Sequence, residues 1–312
     1  MPRLIEAREA SSIELGDLVE ALETGGFDPE DEESLAAFGP ALRRLANNPR
    51  FLGDIIIAEL KQNCAGQQRA SQYSPQVIML HGSSKSFLLR ANIWPALEDS
   101  VVVNSGTSPF FYGLPHDHNF SFLTVGYHGP GYWSDYYEFD YERTVGFAGE
   151  KVDLRFVERS RLDQGKLLLY RRHRDVHLQL PADALSVSLN ILALSAASEF
   201  RDQYRFDVER SEIAGIINPS SLESLVLLAA HVGGDNGRDL VADFAQRHPS
   251  ERIRWAAVRA QASAAEGIDG RLALYEAAAQ RPDRLVSAMA QREARRVEAS
   301  RAWLEQVPAP TP

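Results

Sequence analysis

The sequence predicts an α+β chain in which a metal-binding β-barrel or jelly roll lies between two helical regions. Three observations carry that prediction. Between Gln76 and Leu192 about ten short β-prone stretches alternate with Gly, Ser and Pro, with no helical spacing among them, which fits a barrel rather than βαβ units. On either side the apolar period changes to three and four. At the centre, Gly113-Leu-Pro-His116-Asp117-His118 sets two histidines two apart, after a turn and before an apolar run. On a strand, both imidazoles then share one face.

The elements follow in order. Ile13, Leu15, Leu18 and Leu22 space a first helix, Ser34–Ala46 a second that Asn47-Asn48-Pro49 ends, and Phe51–Leu60 a third. Strands are expected at 76–81, 86–93, 101–104, 120–127, 136–141, 144–147, 152–158, 166–170, 173–180 and 186–192. After Ser195 the β-branched runs stop. Ser220-Ser-Leu-Glu223 is a helix-start signal behind Pro219, and Gly233-Gly234 ends that helix. Further helices are expected at 238–247, 250–265, 270–280 and 283–305. Gln246-Arg-His-Pro249 and Gln280-Arg-Pro282 echo one another, each ahead of an apolar-periodic helix, as in a short HEAT-like repeat. The expected divisions are a helical segment at 1–72, the barrel at 73–200, an all-α helical-repeat-like domain at 206–306 and a tail at 307–312.

Bulk properties narrow the function. A net charge of −10 argues against a general nucleic-acid binder. The single cysteine, Cys64, excludes a disulfide framework and a cysteine-rich metal site, and its setting reads as a passive helix-end thiol. No signal-peptide core and no membrane-length apolar run stand in the sequence, so a cytoplasmic protein is expected, without membrane partners. No Gly-x-Gly-x-x-Gly and no P-loop point to NAD, flavin or ATP.

The candidate metal ligands are His116, His118 and a third imidazole from the later strand run, His177, with His173 and His128 in reserve. Three imidazoles leave coordination positions open for water, substrate or O2, which makes a site catalytic. Here a resemblance enters. Gly113-Leu-Pro-His116-Asp117-His118 resembles the first metal motif of the cupin superfamily, although Phe122 and Leu123 stand where the usual Glu is found. The block from Gly165 through His177 to Asn190 is similar to the three-histidine thiol dioxygenase (cysteine dioxygenase-like) branch, which also lacks that Glu. Phe87-Leu-Leu-Arg90-Ala-Asn92 resembles the segment in which that branch places a carboxylate-clamping arginine.

What the resemblance implies is a cupin-type barrel holding Fe(II), with O2 as co-substrate and Arg90 as an anion anchor. The branch's Ser-x-His-x-Tyr is replaced by Ser188, Asn190 and Leu192, so cysteine itself is not the expected substrate. The expected activity is an iron-dependent oxygenase acting on a thiol, amino acid or peptide. The alternatives are a Zn- or Mn-dependent isomerase, hydrolase or lyase, and a helical-repeat scaffold. The C-terminal helices are a place for a protein or peptide partner.

Other residues have blander readings. Tyr127 and His128 are candidate catalytic groups beside the site. Tyr132, Trp133, Tyr136 and Tyr137 are barrel core and rim, or a platform over substrate. Arg171-Arg172-His173-Arg174 is a solvated rim, Glu138 an exposed strand residue, and His81 and His231 are core histidines.

Overall fold

The computed structural model describes residues 1–70, 76–82 and 84–304. The expected tail at 307–312 lies outside the described residues, as does the period change at Ser74-Pro75. The chain divides into two compact units, residues 1–142 with 151–214, and residues 143–150 with 215–312.

The first unit is a β-barrel built from two main sheets and carrying helices. Its strands are β1 (Arg3–Leu4), β2 (Val77–His81), β3 (Phe87–Trp94), β4 (Phe122–His128), β5 (Trp133–Glu138), β6 (Arg155–Arg161), β7 (Leu167–Tyr170), β8 (Asp175–Gln179), β9 (Ser186–Ala193), β10 (Tyr204–Asp207) and β11 (Glu212–Ile216). One sheet runs β1-β7-β4-β9-β3-β2 and another β6-β5-β8, with antiparallel pairing throughout. The second sheet continues through the histidine motif. His116 bridges both His177 of β8 and Arg205 of β10, so the segment around it is inserted between those strands, and β10 pairs with β11.

Strand alternation divides the large sheet cleanly. Leu89, Ala91, Leu123, Val125, Leu167, Leu169, Leu189 and Ile191 point one way into an apolar core shared with α1 (Leu15–Thr24), α2 (Glu32–Ala37), α3 (Gly39–Ala46) and α4 (Phe51–Lys61). Leu88, Trp94, Phe122, Leu168, Tyr170 and Leu192 point the other way, into the barrel with Tyr132 and Tyr136 of the facing sheet. The helix expected over 34–46 is two helices. Pro40, which has no N–H to donate, opens α3, and at Gly39 an added Cβ would come within 2.9 Å of Ile5 and 3.0 Å of Leu167. Behind α4, α5 (Ala65–Ala70) follows a turn in which Cys64 takes a left-handed conformation (φ 56°).

Two expected strands are absent for identifiable reasons. Val101–Asn104 lies in α6 (Ser100–Ser105), where the Asp99 carboxylate accepts from Ala96 N–H ahead of the helix and Gly106 (φ 73°) ends it. Residues 144–147 wrap the Glu150 carboxylate, which accepts from Val145 and Gly146 N–H, so those donors are used locally rather than in a ladder. In the other direction, β10 and β11 lie beyond Ser195, where strand signals stop. Tyr204-Arg-Phe-Asp is too short to stand out; it pairs with β11 and, through Arg205, bridges His116.

The second unit contains α7 (Ser221–Val232), α8 (Gly234–Arg247), α9 (Glu251–Ala264), α10 (Gly267–Ala279), α11 (Arg284–Ala299) and α12 (Arg301–Leu304). Ser220 caps α7, accepting from Leu222 N–H, and Ser250 caps α9, accepting from Ile253 N–H. α9 packs against α7, α8, α10 and α11, and its Trp255, Ala257, Val258, Ala260 and Ala262 sit in the core. The two echoed motifs lead into α9 and α11, which are tied by the Arg254–Asp283 ion pair (2.7 Å) and by Leu285 N–H donating to Glu251.

Candidate metal centre

Three strands' worth of local geometry build one cluster. The segment Gly113–His118 is held in register by backbone bonds in both directions between His116 and His177, by Gly113 N–H to Gln179 O, and by Asp117 N–H to Tyr204 O. Alternation then sends His116 and His118 into the barrel and Asp117 away from it. His177, on β8 beside them, completes the set.

His116, His118 and His177 are buried and their ligand atoms lie within 4.8 Å of one another. Nε2 of His177 is 3.1 Å from Nε2 of His118 and 3.1 Å from Nε2 of His116. Two nitrogens so spaced, each about 2.1 Å from one ion, subtend an angle of about 95°, an ordinary ligand–metal–ligand angle. The donor set therefore fits a metal. His116 Nδ1–H donates to Leu114 O at 2.7 Å, which leaves Nε2 with its lone pair inward. The Gln203 amide lies 3.3 Å from His118 Nδ1, and the Gln179 amide lies 3.1 Å from His177 Nε2. Burial holds His116 down to about 4, and it holds His118 and His177 well below the usual histidine range, with the Arg90 guanidinium lowering all three further. All three are neutral at pH 7, the state in which imidazole binds a metal.

Aromatic rings close round the cluster. Phe122 is edge-on to His118 with centroids 4.8 Å apart and stacks on Tyr170 at 4.4 Å. The Tyr170 ring is 4.9 Å from His177, and its hydroxyl is 3.1 Å from that of Tyr136. Burial raises Tyr170 and Tyr132 well above the usual phenol range and also raises Tyr136, so these hydroxyls keep their protons. Sequence reasoning looked for a phenol at Leu192 and missed Tyr170. Its signal is a place on a β-prone run five residues after Gly165, which nothing in the spacing ties to His118.

The other candidates separate. Arg90 faces the barrel from β3, opposite Asn190, and its charge reaches the histidines. Tyr127 points the other way, donating to Asn48 O and packing on Phe51, and His128 is exposed beyond a bulge at the end of β4. The left-handed turn at His173 (φ 55°) directs that ring onto Tyr141, with centroids 3.8 Å apart, and its Nε2 to Asp202 O, so it is not the third ligand. Glu138 is engaged by Arg171 and Arg155 rather than by the cluster. The Arg171–Arg174 run is ion-paired more than solvated, Arg171 to Asp175 (2.6 Å) and Arg172 to Glu30 (2.8 Å). His81 stacks on Phe87, and His231 is exposed and bonded to Ser263, not a core residue. Asp117, fully buried, accepts from Tyr204 N–H, and burial pushes it up to about 8.

No protein-family model matches the chain, and no curated protein does. Solved structures similar to it include a DMSP lyase from Ruegeria pomeroyi, 13% identical over 44% of this chain and 62% of that one, with a TM-score of 0.25. The chain thus spans less than two thirds of that lyase. A hydroquinone 1,2-dioxygenase crystallised with Cd2+ and 4-hydroxybenzonitrile is 11% identical over 42% and 71% (TM-score 0.26), and a cupin-like protein from Thermotoga maritima is 11% identical over 42% and 74% (TM-score 0.23). At TM-scores this low the likenesses decide nothing about the reaction. Among the described residues, no helix is long and apolar enough to cross a membrane.

Proposed function

We propose that the chain is a metal-dependent enzyme centred on His116, His118 and His177, and that it is an oxygenase using Fe(II) and O2 on a thiol, amino acid or peptide. The observation that carries this reading is the convergence of three neutral, buried Nε2 atoms inside the barrel. Ferrous iron, when bound, supplies positions at which O2 and substrate meet, because three protein ligands leave the coordination sphere open. The rest falls to the chain's own side chains. Leu114 O fixes the His116 tautomer, Arg90 offers a cation to an anionic substrate group, and Phe122 and Leu192 keep the interior dry.

A second reading, a Zn- or Mn-dependent lyase or isomerase, is favoured by the Tyr136–Tyr170 pair. Two hydrogen-bonded phenols beside the histidines can hold and pass a proton, which elimination and isomerisation need. Metal analysis by mass spectrometry after anaerobic purification separates the two. The expected result is stoichiometric iron in the wild type, lost in His116→Ala and His177→Ala, with O2 uptake on a thiol, amino acid or peptide panel. Zinc or manganese without O2 uptake selects the second reading. No metal even after reconstitution overturns both.

A further inference from the structure

The barrel interior around the histidines carries polar side chains with atoms that the protein itself does not satisfy. Asn92, Thr124, Gln179 and Asn190 are each more than nine-tenths buried, yet Asn92 Oδ1, Thr124 Oγ1, Gln179 Oε1 and Asn190 Oδ1 have no hydrogen-bond partner. Their placement is ordered. Thr124, Asn190 and Arg90 lie side by side across β4, β9 and β3, Asn92 is two residues from Arg90 on the same face, and Gln179 is two residues from His177 on the facing sheet. Neighbours on the same face are satisfied: Ser188 accepts from Trp94 Nε1–H, and Ser186 accepts from Gly131 N–H. Buried unsatisfied groups are costly and rare, so an ordered set of them is a binding surface rather than poor packing.

We propose that this acceptor row binds a small polyhydroxylated molecule, such as a polyol or sugar acid, whose hydroxyls donate to Asn92, Thr124, Gln179 and Asn190. Three of the four orphaned atoms are amide oxygens, which only accept, so the ligand must bring donors. Ammonium groups bring donors too, but here they would meet the Arg90 guanidinium in a low-dielectric interior, a like-charge penalty that neutral hydroxyls escape. Calling this ligand the substrate rests on the metal-centre reading above and would put a hydroxyl-rich substrate in place of the thiol, amino acid or peptide named there; the acceptor row stands without it.

Saturation-transfer NMR on the full-length, metal-analysed protein with four millimolar-range probes tests this: xylitol, gluconate, cysteamine and alanine. Transfer to xylitol or gluconate is expected, reduced at least tenfold in Thr124→Val and Asn190→Leu with the metal content unchanged. Because both variants replace an unpartnered polar group by an apolar one of similar size, their ligand-free thermal midpoints are expected to rise by roughly 2–4 °C. Transfer confined to cysteamine or alanine, or to no probe in the wild type, overturns the proposal. So does hydroxyl-probe binding that Thr124→Val leaves unchanged. A wild type that binds xylitol but no metal upholds the acceptor row while sinking the metal reading.

Discussion

The two faces of the six-stranded sheet have opposite characters. Towards the helices, β3, β4, β7 and β9 present aliphatic side chains that are almost wholly buried, such as Leu123, Val125, Leu169 and Ile191. Towards the barrel interior the same strands present Arg90, Asn92, Thr124 and Asn190 among rings that frame three histidines. Alternation makes the contrast possible, since each strand serves both faces without compromise. One face contributes stability by burying apolar area, and the other gives some up to keep donors and acceptors available. A site built this way leans on a dry core only one residue away along the strand.

Substitutions can break that contrast. His118→Ala is expected to have the largest effect, a fall from stoichiometric metal to background and complete loss of turnover, with the fold retained by circular dichroism. Ile191→Ala, on the dry face, is expected to cost about 2–5 kcal/mol in urea unfolding while metal stoichiometry in the folded protein stays intact. If Ile191→Ala lost the metal as well while folded, the two faces would not be separable.

Acid sharpens the comparison. His116 titrates at about 4 in the fold against 6.5 when unfolded, and His173, also buried, at about 4. Below pH 6.5 the unfolded chain takes up protons that the folded barrel refuses, so stability falls as pH drops from 6.5 towards 4. Asp117, raised to about 8, works the other way, gaining stability as pH falls from 8 towards 3.8, but it is one carboxyl against four depressed imidazoles. Urea midpoints of the metal-free protein at pH 7 and pH 5 should therefore differ, the lower at pH 5; equal midpoints would mean the histidines are not buried and neutral.

The smallest effect belongs at the rim. Glu30 accepts from Arg201, Arg172 and Ser195, and these bonds, Arg201 foremost, hold it down to about 2, so its contribution is present above pH 4.5 and disappears as pH falls towards 2. Its side chain is 39% exposed, and solvent screening limits the loss in Glu30→Gln to less than about 1 kcal/mol at pH 7, readable as a small shift in urea midpoint.

Much of this molecule can be read locally. The turn-rich β region, the flanking helices, and the capping residue Ser220 follow from period and turn chemistry that act over a few residues. The His-x-His spacing likewise forces a shared face for His116 and His118 once that segment is extended. What only the tertiary structure decides is which distant residues meet there. His177 rather than His173 arrives because a left-handed turn at His173 rotates the ring out before β8 begins. Tyr127 looks like a neighbour of the site in sequence but faces the helices, whereas Tyr170 lies beside His177 because β7 pairs with β4. β10 pairs with β11 and reaches the distant histidine segment through the Arg205–His116 bridge. Strand pairing is long-range, and sequence spacing carries the face of a residue but not the identity of its neighbour across the sheet.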